Sequence, residues 1–316
     1  MNRDCTTDAA LPDAYPPPPT RVSVVVPSYN QADFLPETLD SLLDQRGGPP
    51  EIIVVDGVSN DGSRDVLERY RPRVEAAGGR VIIEPDDGQS SAINKGLRLA
   101  TGEVVGWLCS DDTWMPGTMA AVRERFAVEP ACDWLAGAVV MTDAAGRAIE
   151  TIPPRGDFTL PGVLVRRADA GFELPQPGVF WRRSLHEELG YLREDMHHCF
   201  DFEWWLRLIA SGRQPAVLDT PLATYRLHEQ SKTCSSSTKF LREHLLVEPT
   251  YARRLPLPDR WRAMRRLSYY RRFTALAELR HAGGSAWPLV ARRPWWLASQ
   301  QVREALRESH HANRAA

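Results

Sequence analysis

Asp111 and Asp112, within "VGWLCSDDTWMPG" from Val105 to Gly117, are the residues of this 316-residue chain whose type and spacing point most directly to chemistry. They end an apolar, strand-like run and are followed at once by a Pro-Gly turn. Adjacent side chains on a strand face opposite ways, so the pair acts together only where the chain bends, and "TWMPG" supplies the bend. Two carboxylates side by side repel, which raises the pKa of one of them unless a cation compensates. A divalent ion such as Mg²⁺ or Mn²⁺, shared between one or two carboxylates and the oxygens of a diphosphate, answers that demand. The bland alternative is a solvated Asp turn.

What positions the pair is legible upstream. Four β-branched runs begin at Arg21 ("RVSVVVP"), Glu51 ("EIIVVD"), Arg80 ("RVIIEP") and Glu103 ("EVVGWLC"), spaced like βαβ units and apolar enough for strands covered on both faces. Between them, Leu35, Leu39, Leu42 and Leu43 make one helical stripe, Val66, Leu67 and Tyr70 a second, and Ala92, Ile93, Gly96, Leu97 and Ala100 a third. Asn60, Asp61 and Ser63 are candidate caps for the second helix, and Gly102 is the expected C-terminal cap of the third. The order β-α-β-α-β-α-β predicts an α/β fold with a twisted, mostly parallel sheet. In such sheets ligands sit beyond the carboxyl ends of the strands, and "PSYN", "DGVSND", "DDGQS" and "SDD" all fall there.

Further on, a helix from Gly117 to about Ala127, a strand-like "DWLAGAVVMTD" and a helical "FDFEWWLRLIASG" lead to "YRLHEQSKT". Beyond residue 236 the pattern is helical and Arg-rich; from Thr250 onward there are 14 Arg against 4 acidic residues in a chain of net charge -2. Such basic, aromatic helices suit either packing on an acidic domain or contact with an anionic membrane surface. The near-neutral balance gives no argument for nucleic acid. Five scattered cysteines without a C-x-x-C pair fit a reduced, cytoplasmic setting, with the inner face of the membrane open as a peripheral location. No apolar run is long enough for a membrane-spanning helix. The expected organisation is a disordered lead-in over 1–20, a catalytic domain over 21–236 divided near 112 into nucleotide-binding and acceptor-binding halves, and a basic helical extension over 237–316.

"VSVVVPSYNQADFLPETLDSLLDQ", "EIIVVDGVSNDGS", "DDGQSSAINKGLRLATGEVVGWLCSDDTWMPG", "QPGVFWRRSLHEELGYL", "FDFEWWLRL" and "YRLHEQSKT" together resemble the inverting family-2 glycosyltransferases of GT-A fold, over roughly Arg21 to Thr233. The resemblance implies a nucleotide-diphosphosugar donor, most readily a UDP-sugar, a Mn²⁺ or Mg²⁺ ion, and transfer to a hydroxyl of a glycan or lipid-linked glycan in cell-surface polysaccharide or glycolipid synthesis. In the family's Asp-x-Asp element the usual first Asp is Ser110 here. The resemblance therefore gives Asp111 the ribose side of the donor and Asp112 the metal. It gives Asp56 the base, and Pro27, Tyr29 and Asn30 the nucleoside. Asp87 and Lys95 fall to the diphosphate region, Arg226 to the phosphates and His228 to the metal.

Inverting transfer needs one carboxylate to take the acceptor's proton, with the leaving diphosphate stabilised by a cation rather than by an acid. Asp201 in "HHCFDFEWWLRL" holds the family's base position, with Glu203 in reserve. Local sequence alone would equally make Asp201 an N-cap. Trp204 and Trp205, on the same helical face, are expected either as an acceptor platform or as core. Neither a Walker loop nor a G-x-G-x-x-G fingerprint is present, which disfavours ATPases and dinucleotide oxidoreductases. A sugar nucleotidyltransferase is disfavoured by "PSYNQ" in place of a Gly-rich loop; a non-catalytic glycan- or membrane-binding protein is the alternative from another class.

Overall fold

The computed structural model describes residues 20–166, 172–232 and 237–281. The lead-in over residues 1–19 and the tail beyond 281, with its "ARRPWW" stretch, lie outside the described residues. The first half runs β1 (Val22–Ser28), α1 (Leu35–Leu43), β2 (Glu51–Asp56), α2 (Ser63–Ala76), β3 (Arg80–Ile83), α3 (Gln89–Leu99), β4 (Val104–Trp107) and α4 (Thr118–Val128). The second half runs β5 (Trp134–Thr142), β6 (Ala148–Ile152), β7 (Val179–Arg182), α5 (Ser184–Leu189), α6 (Phe200–Ala210), β8 (Ala216–Arg226), α7 (Ser237–Ala252) and α8 (Leu257–His281).

The sheet has the order β3-β2-β1-β4-β7-β5-β6, with β8 paired to β5. β3, β2, β1 and β4 are mutually parallel, and β7 joins antiparallel on the β4 edge. This is the α/β architecture with a mostly parallel sheet expected from the β-α alternation. Ser28 pairs with Asp56 at the ends of β1 and β2, while the Leu108 amide donates to the Val25 carbonyl and carries β4 on toward the same rim. Parallel strands in register thus deliver the three polar stretches that follow them to one edge.

Alternation along β1 splits the core. Val25 packs with Ile53, Ile93 and Trp107 on one face of the sheet, and Val24 and Val26 pack with Leu35, Leu39 and Leu67 on the other. α3 lies close on β1 because residue 96 is glycine; a Cβ there would stand 2.3 Å from Val25 Cγ1. Gly102 does not cap α3 as expected. The helix ends at Leu99 because Ala100 turns extended, and the Gly102 amide instead donates to Ser23 Oγ, 2.8 Å away. Helix α2 starts behind Gly62 at φ 104°, with Asp61 Oδ1 accepting from the Ser63 amide.

α7 and α8 share the first of these two cores. Val247, Tyr251, Leu255, Ala263 and Leu267 are buried with the α6 side chains, and a buried network ties α6 to α7: Glu203 pairs with Arg207 at 2.7 Å and accepts from Tyr251 Oη at 3.1 Å. Among the described residues, no helix is long and apolar enough to cross a membrane.

His186 in α5 is buried at 2% exposure, and its Nδ1 accepts from Trp181 Nε1 at 3.2 Å. Desolvation, with Arg183 nearby, lowers its pKa from 6.5 to about 4. The unfolded chain therefore binds a proton that the folded one refuses, so stability is full above pH 6.5 and is lost as pH falls toward 4. The expected loss is on the order of 3 kcal/mol. His186→Gln, which keeps an acceptor for the indole, should lose correspondingly less, as measured by urea unfolding at neutral and acid pH.

Candidate active site

The bend that carries Asp111 and Asp112 is held from three directions. Thr38 Oγ1 of α1, fully buried, donates to the carbonyls of Ser110 and Asp112 at 2.9 and 2.8 Å. The Thr224 amide of β8 donates to the Thr113 carbonyl at 2.7 Å. Arg226, at the end of β8, donates its own amide to Asp112 Oδ1 at 2.8 Å and its Nε to the Asp111 carbonyl at 2.9 Å. Its remaining guanidinium nitrogens reach the Ala144 carbonyl and the Glu37 carboxylate. Arg226, expected to hold phosphates, is 5% exposed, lines the cavity and is engaged by protein acceptors that make it a brace for the bend.

Charge is concentrated there. Asp112 is 1% exposed, and desolvation, followed by repulsion from Asp111, raises its pKa well above the ordinary range. Burial, then Asp112 and Asp111, likewise pushes the Cys109 thiol up. The imidazole of His228 meets Asp111 rather than Asp112: its Nε2 lies 2.9 Å from Asp111 Oδ2, and its ring packs on Phe34 with centroids 4.6 Å apart. One ligand atom from each of Cys109, Asp111 and Asp112 can lie within 4.8 Å of the others. Two carboxylates and an imidazole suit a hard divalent cation, whereas a protonated thiol does not. The two carboxylates therefore fit such an ion, and His228 reaches the pair through its contact with Asp111 rather than as a member of that cluster.

Cys109, Asp111, Asp112 and Arg226 line a cavity of about 700 Å³ that also takes in Pro27, Tyr29, Asp86, Gln89, Gln176, Asp201 and Lys232. Tyr29 stands 63% exposed at its edge. Asp201 lies in the first turn of α6, and its Oδ1 accepts from the Phe202 amide at 2.7 Å. Lys232 donates to Gln89 Oε1 at 2.8 Å and to the His197 carbonyl at 3.1 Å, and desolvation lowers its pKa.

Several residues singled out in the sequence sit elsewhere. Asp56 is fully buried, with its carboxylate taken by Ser28 Oγ, Ser59 Oγ and the Ser59 amide. Asn30, at φ 53°, turns its Oδ1 to the Asn60 amide. Of the acidic pair after β3, Asp86 rather than Asp87 lines the cavity, because its carboxylate folds back to the Gly88 amide at 2.8 Å. Lys95 lies on the outer side of α3, paired with Glu84 at 2.9 Å and with the Pro85 carbonyl. Trp204 and Trp205 are core, 1% and 2% exposed, with Trp205 stacked on Trp107 and Trp134 at 5.8 and 6.1 Å, so neither offers a face to a sugar. Glu203, the reserve base, is consumed by Arg207 and Tyr251. Gln89 and Gln176 were not anticipated. Neutral amides leave little trace in a single sequence, although Gln176 heads the "QPG" block and its Nε2 binds the Trp107 carbonyl at 2.8 Å.

Residues 23–189 match the family model "Glycosyl transferase family 2". The chain belongs to this family. A PGL/p-HBAD biosynthesis glycosyltransferase of Mycobacterium bovis is 31% identical over 171 residues, 53% of this chain and 61% of that protein. The chain spans 53%, 43% and 61% of the length of three such relatives. Among solved structures, S. aureus TarS 1-349 in complex with UDP-GlcNAc superposes with a TM-score of 0.58 at 21% identity, covering 77% of this chain and 69% of TarS. The mannosyltransferase PcManGT of Pyrobaculum calidifontis, in complex with GDP-Man and Mn²⁺, gives 0.55 at 21% identity, covering 93% and 85%. These likenesses show a shared fold.

If Arg226 braces the family-2 acidic bend, Arg226→Met leaves buried carbonyls without donors and should cost about 2–3 kcal/mol of unfolding free energy. Lys95→Met, at an exposed pair, should change it by less than about 0.5 kcal/mol. Urea denaturation of both variants distinguishes brace from surface ion pair.

Proposed function

We propose that the protein is an inverting, divalent-cation-dependent glycosyltransferase that moves a sugar from a nucleotide diphosphate, preferentially a UDP-sugar, to a hydroxyl of a cell-surface glycan or glycolipid. The observation that carries this reading is that the Asp111–Asp112 bend and Asp201 line one cavity. A single displacement needs one base on the acceptor side and a charge-accepting leaving-group side. Asp201 takes the proton of the acceptor hydroxyl as that oxygen attacks the sugar's anomeric carbon, while the bond from this carbon to the diphosphate breaks and the nucleoside diphosphate departs. Pro27 and Tyr29 take the nucleoside, and Lys232 stands where a diphosphate would pass. Asp111 and Asp112, with His228 hydrogen-bonded behind Asp111, would hold Mn²⁺ or Mg²⁺, which when bound neutralises negative charge developing on the leaving diphosphate. The UDP-GlcNAc complex of TarS and the GDP-Man and Mn²⁺ complex of PcManGT support the choice of donor class and ion.

Thermal shift with UDP, GDP, dTDP and CDP, each with and without Mn²⁺, tests the donor site. UDP should raise the melting temperature only with the cation, and Asp112→Ala should abolish the effect. Asp201→Asn should keep that shift and lose about 10²- to 10⁴-fold in kcat; an Asp201→Asn enzyme of wild-type rate would refute the assignment.

A peripheral membrane location at the cytoplasmic face is favoured by α8, which exposes Leu257, Trp261, Met264, Tyr269 and Phe273 among Arg260, Arg262 and Arg265. Aromatic and aliphatic side chains flanked by arginine suit an anionic lipid surface. The protein should sediment with phosphatidylserine-containing vesicles and not with neutral ones, and the double variant Trp261→Ala, Phe273→Ala should weaken this without moving kcat on a soluble acceptor.

A further inference from the structure

The carboxylate of Glu243, on α7 and only 9% exposed, accepts three consecutive backbone N–H groups from another element. Oε1 takes the His197 amide at 2.8 Å, and Oε2 takes those of His198 and Cys199 at 2.9 and 2.7 Å. Cys199 is the residue at the N-terminal boundary of α6, and its side chain makes no capping bond there. The opening N–H groups of a helix lack intrahelical partners and carry the positive end of its dipole. Of the three, the Cys199 amide stands at the boundary of α6 and those of His197 and His198 lead into it, so a carboxylate 44 residues later in the chain anchors the segment from which the helix starts.

A second contact acts on the same segment. Phe240, one turn before Glu243, lines the cavity, packs its ring on His198 with centroids 5.0 Å apart, and accepts the Cys199 thiol at its carbonyl, 3.5 Å away. α7 thus grips residues 197–199 by backbone and by side chain, two residues ahead of Asp201.

We propose that Glu243 is a positioning residue for the transfer reaction: by fixing where α6 begins, it sets the reach of Asp201 to the acceptor hydroxyl. The inference rests on the reading of Asp201 as the base. Misplacing a reacting group by about 1 Å costs on the order of 10²-fold in rate, so the effect belongs in kcat and not in donor binding.

Glu243→Gln tests this in the full-length protein, since an amide nitrogen cannot accept the N–H groups that one carboxylate oxygen now receives. Glu243→Asp, too short to reach all three, gives the same test should the Gln variant fail to fold. Glu248→Gln is the comparison, more deeply buried on the same helix at 1% exposure but paired to Arg266 of α8. The expected result is a 10- to 100-fold fall in kcat for Glu243→Gln with donor KM within twofold of wild type. Amide hydrogen exchange over 197–201 should accelerate at least tenfold, and Glu248→Gln should lower the melting temperature while keeping kcat within twofold. A Glu243 variant with kcat within twofold of wild type, or one matched by Glu248→Gln at equal loss of melting temperature, would overturn the inference. If wild type transfers no sugar, or Asp201→Asn remains active, the functional reading fails instead; the exchange over 197–201 still decides whether Glu243 anchors the start of α6.

Discussion

Two like charges held together away from water form the constraint around which this molecule is arranged. Asp112 is almost wholly enclosed, and Asp111 lies beside it. Left to themselves they would drive the bend apart or keep a proton between them. The chain opposes this with a threonine hydroxyl from α1 on two carbonyls and with the amide and the cationic guanidinium of Arg226. The braces grip chiefly the backbone of the bend, so geometry is held while much of the charge stays unanswered. With Cys109, the two carboxylates bring ligand atoms within 4.8 Å of one another, close enough to share a cation.

The same economy explains why the two halves of the sheet depend on each other. β8 runs parallel to β5 and reaches the residues after the acidic pair through Thr224 and the Trp114–Ala223 bridge. It delivers Arg226 and His228 to a bend formed by β4. Neither half walls the cavity alone: the first supplies Asp111, Asp112, Pro27 and Tyr29, the second supplies Arg226 and Asp201. The helices beyond residue 236 extend this dependence, since their buried side chains complete the core beneath α6.

The strands, their order of alternation and the rim at their carboxyl ends were legible because β-branched runs and clustered polar residues are local signals. Asp111, Asp112, Asp201 and Tyr29 could be placed on the cavity from such signals together with a family likeness. What escaped depends on direction and distance. Trp204 and Trp205 share a helical face with Asp201 in projection, yet that face turns into the sheet, where Trp107, Trp134 and Trp181 wait. Lys95 follows an acidic loop, but the roll of α3 aims it at Glu84. The bracing contacts of Arg226 left no local trace because its acceptors, Glu37, Asp111 and Ala144, come from 82 to 189 residues away. Asp86 and Asp87 are neighbours that only the curl of one loop tells apart.

The indole stack gives the molecule an optical property. Trp107 borders the cavity, lies nearly parallel to Trp205 at 5.8 Å, and Trp205 lies nearly parallel to Trp134 at 6.1 Å. At such separations excitation passes readily from ring to ring, so the emission of the buried cluster is collective and sensitive to whatever touches its outermost member. The chamber wall is thus wired to the interior's own chromophores, and its filling or emptying can be followed by intrinsic light without any attached dye.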